Sequence, residues 1–135
     1  MRWFKLYLVS LAAFLVIDLL WLGLVARSFT QQQLGFLMAP RVNWLVAVGF
    51  YLLFITGLLF FVIVPGLKEN SLKATLLRGA FFGLVTYATY DLTNLATLKD
   101  WPALFSFVDM LWGTVLSVSV SWVGFVAGKR MRSAG

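Results

Sequence analysis

Four long apolar runs, separated by short polar stretches, make up most of this chain. The first extends from about Phe4 to Ala26, between Arg2/Lys5 and Arg27. The second covers about 42–64, the third about 76–98 and the fourth about 102–127. Each exceeds the roughly 20 residues that a helix needs to cross a bilayer's hydrocarbon core. A basic start ahead of an apolar run imitates a signal peptide. The length of the run, its internal Asp18 and the lack of a small-x-small cleavage site predict an uncleaved transmembrane helix instead. Residues Ser28 to Arg41, with Gln31, Gln32 and Gln33 followed by Phe36-Leu37-Met38, read as a loop touching the interface, and Pro40 suits a helix start. Pro65-Gly66 punctuates the end of the second run, and Leu67 to Leu77 reads as an amphipathic tail merging into the third. Only Lys99-Asp100-Trp101 separates the last two runs, so they must form an antiparallel hairpin. The pattern predicts an all-α membrane protein: one domain over residues 1–135, folded as a bundle of four transmembrane helices.

Composition supports lipid as the solvent. The 135 residues are 61% hydrophobic and 12% charged, with mean hydropathy +0.92, against about 25% charged in ordinary globular domains. The net charge of +6 does not indicate nucleic acid, because the basic residues flank the apolar runs rather than forming a patch. Arg2, Lys5, Lys68, Lys73, Arg78, Lys129, Arg130 and Arg132 fall on the side of the termini, and Arg27, Arg41 and Lys99 on the other. The positive-inside rule then makes both termini cytoplasmic. Trp3, Trp44 and Trp101 lie near run ends, where interfacial indoles belong, and the tail Lys129-Arg130-Met131-Arg132 is expected to fray. With no cysteine and no histidine, thiolate chemistry, His-ligated haem, ordinary zinc sites and His-based triads are excluded. No cofactor is expected, and any metal would be an oxygen-ligated hard cation.

Three of the five acidic residues, Asp18, Asp91 and Asp109, lie inside the runs. Asp18 precedes Arg27 by nine residues, and Asp91 and Asp109 lie nine residues either side of Asp100 in the turn. At 1.5 Å per residue each sits roughly 13 Å inward from the outer boundary, so three helices bring a carboxylate to one level. In the third run Gly79, Gly83, Tyr87, Tyr90/Asp91 and Asn94 share a stripe. In the fourth Ser106, Asp109, Gly113, Ser117, Ser121, Gly124 and Gly128 do the same. Small residues allow close helix approach, so both stripes should face the bundle interior. No Lys or Arg lies at that depth. A proton, a cation or water must therefore relieve the carboxylates' mutual repulsion. The candidate ligand- or proton-binding set is Asp18, Asp91, Asn94, Asp109, Tyr87, Tyr90, Thr93, Trp21 and Trp112, with the three aspartates as the ligands of any metal. The bland alternative is that protonated aspartates, tyrosines and Asn94 simply hydrogen-bond neighbouring helices. For Trp21 and Trp112 packing is the favoured role.

The stretches Tyr90-Asp91-Leu92-Thr93-Asn94-Leu95-Ala96-Thr97 and Val108-Asp109-Met110-Leu111-Trp112-Gly113, with Asp18-Leu19-Leu20-Trp21 and Phe50-Tyr51-Leu52-Leu53, carry a family resemblance. The chain resembles, over nearly its whole length, a family of small bacterial membrane proteins known only as a domain of unknown function. The resemblance implies a multi-pass protein of the bacterial inner membrane with four helices. It implies no activity, cofactor or catalytic residue.

Three functions fit these residues. A binding or transport protein would use the aspartates for a proton, a hard cation or a cationic ligand, and transport by so small a bundle would require a homodimer. An accessory subunit would pair them with a cation on a membrane-protein partner. A membrane enzyme acting on a lipid-linked substrate is third, because no nucleophile motif and no phosphate-binding cation lies at that depth.

Overall fold

The computed structural model describes residues 2–134, in which all regular structure is helical. Four helices run back and forth: α1 (Arg2–Leu37), α2 (Trp44–Glu69), α3 (Leu72–Thr97) and α4 (Ala103–Ala134). Among them α1, α2 and α4 are long and apolar enough to cross a membrane. Helix α3, at 26 residues, reaches about 39 Å. Lys73, Arg78, Asp91 and Asn94 dilute its apolar character. The protein is an all-α membrane protein.

Several boundaries differ from the sequence expectation. Helix α1 does not end near Ala26 but continues through Gln31–Gln33 to Leu34, closing in a tight turn over Gly35–Leu37. Glutamine is a good helix former and no Gly or Pro intervenes. Packing finishes the extension: Ala26 and Leu34 are buried, and Phe29 stacks on Phe105 at 6.1 Å. Pro40 lies in the link, and α2 instead starts at Trp44, where the Asn43 side chain accepts a hydrogen bond from the Val46 amide at 3.3 Å.

Pro65-Gly66 does not end α2. The turn Leu59–Ile63 just before it is widened, with the Val64 amide bonded five residues back to the Leu59 carbonyl. A widened turn gives the proline ring room where a regular one would clash. The helix stops only at Glu69, because Asn70 turns left-handed at φ 54° and the Ser71 amide closes on the Gly66 carbonyl at 3.1 Å. Ser71 then caps α3, accepting from the Ala74 amide at 3.1 Å, so the two helices are separated rather than merged.

The main interface joins α3 to α4, and α1 packs against α4 from another side. Gly79 and Gly83 of α3 meet Ser117, Ser121 and Gly113 of α4 almost backbone to backbone. The main core includes Leu6, Phe14, Ile55, Leu58, Ile63, Leu116 and Val120. A smaller cluster of Leu34, Trp101 and Phe105 closes the end of the bundle away from the termini. Trp101 is thus not an interfacial anchor: it is 8% exposed, and its Nε1 donates to Ser106 Oγ at 2.9 Å. Trp3 and Trp44 are exposed at helix ends. The basic tail is not frayed either. Helix α4 runs through it, and Arg132 Nη1 donates to the Leu67 carbonyl at 2.9 Å. Both termini therefore lie at one end of the bundle, near the Arg78–Glu69 ion pair at 2.7 Å.

A Cβ at Gly83 would strike the Gly113 carbonyl and lie 2.5 Å from Ser117 Oγ, whereas one at Gly49 meets nothing within 4 Å. Gly83→Ala is therefore expected to cost about 1–3 kcal/mol or more, and Gly49→Ala to leave stability unchanged or slightly raised. Thermal midpoints of the two variants in detergent check the contrast.

Candidate functional site

On α1, Leu6, Ser10, Phe14 and Asp18 are buried at four-residue steps, one face turned to α4. This register brings Asp18 against Trp112, whose Nε1 donates to Asp18 Oδ1 at 3.2 Å. Three residues beyond Asp18 the helix widens over Trp21–Val25, with the Ala26 amide bonded five residues back to the Trp21 carbonyl. Such widened turns redirect side chains and recur at functional sites. Trp21 lies flat on Trp112, centroids 4.5 Å apart and planes 9° from parallel. A cleft of about 190 Å³ opens beside the stack, bounded by Asp18, Trp21, Tyr87, Phe105, Asp109 and Trp112.

A second cleft, of about 310 Å³, lies between α2 and α3 and is lined by Phe50, Thr86, Tyr87, Tyr90 and Asp109. Tyr87 and Asp109 border both spaces. The α3–α4 seam explains their placement. Because Gly113 has no side chain, the Tyr87 ring lies directly on the α4 backbone, where any Cβ would collide with it. One turn further along α3, Asp91 is fully buried and neither of its oxygens finds a donor. The Asp109 carboxyl is its electrostatic neighbour across the α3–α4 seam. Two carboxylates in that position repel unless a proton or cation is shared between them.

The remaining sequence candidates stand apart. Thr93 is exposed, and its Oγ1 is spent on its own helix, donating to the Thr89 carbonyl with a second contact to the Tyr90 carbonyl at 3.1 Å. Asn94 is half-buried and borders neither cleft. Tyr90 is 52% exposed, meets Trp101 edge-on at 5.6 Å and walls only the second cleft. Among the described residues the three aspartates do not converge into a group able to hold a metal ion. Asp18 is held by the Trp112 indole on the α1 side, and Asp91 is enclosed between α3 and α4. A hard cation chelated by all three, one of the three kinds of ligand that their common depth allowed, is not favoured by this arrangement.

Phe29, Thr30 and Phe105 of the first cleft, and Phe50 and Thr86 of the second, were not among the sequence candidates. Ala26 and Leu34 are buried and Phe29 and Thr30 half-buried beyond the widened turn of α1. That turn shifts the helical register after Asp18, so no continuous periodicity marks these residues in the sequence.

A family model described as "Predicted membrane protein (DUF2177)" matches residues 3–126. No curated protein and no solved structure matches the chain.

A buried carboxyl without a donor does not stabilise a fold, so Asp91→Asn is expected to leave the thermal midpoint unchanged or raise it. Asp18→Ala strands the Trp112 indole N–H and should cost about 1–3 kcal/mol. Differential scanning of the two variants separates these outcomes, and a large drop for Asp91→Asn would mark that residue as structural.

Proposed function

The chain belongs to the DUF2177 family of predicted membrane proteins, whose function is unknown, and we propose that it binds a proton or a cationic organic ligand at Asp18, Asp91 and Asp109. The observation that carries this reading is Asp109: it borders two clefts and abuts a fully buried aspartate with no hydrogen-bond donor. Carboxylates are costly to keep in lipid and commonly mark ion or proton paths. Aromatic walls from Trp21, Trp112 and Tyr87 suit an organic cation, which the ring faces attract.

The protein sits, on this reading, in a cytoplasmic membrane. The end bearing Arg2, Lys68, Lys129 and Arg132 faces the cytoplasm, and the two clefts lie toward the opposite side.

Two experiments test the proposal. Tetraphenylphosphonium binding by equilibrium dialysis, with infrared titration of the carboxyl stretch, should respond to Asp109→Asn and Asp18→Asn. Removing one partner of a buried charge pair costs about 2–5 kcal/mol, so affinity should fall more than about tenfold. Unchanged binding and unchanged titration in Asp18→Asn, Asp91→Asn and Asp109→Asn sink the idea. For orientation, the native chain has no cysteine, so single thiols report cleanly. An impermeant maleimide should label Lys99→Cys in intact cells and Ser133→Cys only after permeabilisation.

A further inference from the structure

At the end of the bundle that holds both termini, a cleft of about 120 Å³ forms between α1, α2 and α4. Arg2, Lys68 and Arg132 line it, and Leu6, Leu67 and Gly128 supply an apolar lining. We propose that this cleft binds the phosphate headgroup of an anionic phospholipid, with Arg2, Lys68 and Arg132 as its cationic ligands.

Three separate helices deliver the charges, so the convergence is a product of the fold rather than of a basic run. Arg132 is oriented by its Nη1 bond to the Leu67 carbonyl at 2.9 Å, and Arg2 is held over the Trp3 ring at 4.7 Å. Among the described residues no acidic side chain lines the cleft. Glu69, the nearest in sequence, is engaged by Arg78 at 2.7 Å. Unneutralised cations at a helix-bundle end attract anionic headgroups, and basic pockets between transmembrane helices are where such lipids lodge. The exposed Trp3 ring beside the cations favours a phospholipid over free phosphate, because an acyl chain can lie against it while the phosphate meets the basic rim. Gly128 lets Leu67 pack directly on α4, where a Cβ would lie 2.5 Å from Leu67 Cδ1, and this close approach brings Lys68 and Arg132 to one cleft. This site does not depend on the aspartate reading.

The test is lipid binding by the full chain in neutral detergent, measured by native mass spectrometry and thermal shift. The probes are dioleoylphosphatidylglycerol, dioleoylphosphatidylcholine and inorganic phosphate. Phosphatidylglycerol should bind and raise Tm, whereas phosphatidylcholine and phosphate should not. Lys68→Gln should weaken the effect about fivefold, the factor for about 1 kcal/mol per cation at a membrane surface, and Arg2→Gln should act similarly. Among the described residues Lys68 makes no side-chain hydrogen bond that the fold would lose, so its variant remains informative should Arg132→Gln unfold. Arg130→Gln, at the same end but outside the cleft, should bind as the native chain does. Equal loss in Lys68→Gln and Arg130→Gln would reduce the effect to general surface charge and overturn the site. So would equal binding of the two lipids, or a response to inorganic phosphate matching that to phosphatidylglycerol.

Discussion

Helices α3 and α4 can touch because small residues face each other along their length. In lipid no hydrophobic force drives helices together, and close packing must supply the attraction. Gly79 lies against Ser121, and Gly83 against Ser117 and the Gly113 carbonyl. The short connection Lys99-Asp100-Trp101 holds the pair in register, with Asp100 in the left-handed region at φ 62°. Everything distinctive about the interior follows from this seam. It presses the Tyr87 ring onto the α4 backbone, and it buries Asp91 beside Asp109.

The same closeness leaves polar atoms without partners. Ser10, Ser117 and Ser121 are buried with no bond to their hydroxyls, and Asp91 has none to either oxygen. Buried polar groups ordinarily find partners. Ser106, by contrast, is satisfied by the Trp101 indole and the Pro102 carbonyl. The unsatisfied groups extend along the packed faces of α1, α3 and α4, so the polar character of the interior is not confined to one aspartate.

Two widened turns adjust a bundle whose helices must otherwise stay regular. Unpaired backbone is not tolerated in lipid, and local changes of winding are the permitted way to alter a helix's course. The turn in α2 lets the chain pass Pro65 and reach Glu69. The turn in α1 falls directly after Asp18, at Trp21–Val25. There it changes which residues face α4, and the Trp21–Trp112 stack forms at that point.

Much of the architecture follows from local pattern alone. Apolar length set the four helices, the short connection set the α3–α4 hairpin, and small residues at helical spacing marked the faces that pack. Asp18, Asp91 and Asp109 could be singled out because a carboxylate within an apolar run is expensive wherever it points. How these pieces engage depends on contacts between helices far apart in the chain. Successive residues of a helix point about 100° apart, so Tyr90 and Asp91 could not both face inward, and packing buried Asp91 while exposing Tyr90. Thr93 could always bond to its own backbone, an option that the stripe pattern does not register. The continuation of α1 past Ser28 and the burial of Trp101 rest on Phe29, Leu34 and Phe105, which come together only after the chain has crossed the bundle three times. Contacts between residues so distant along the chain leave no local periodicity to read.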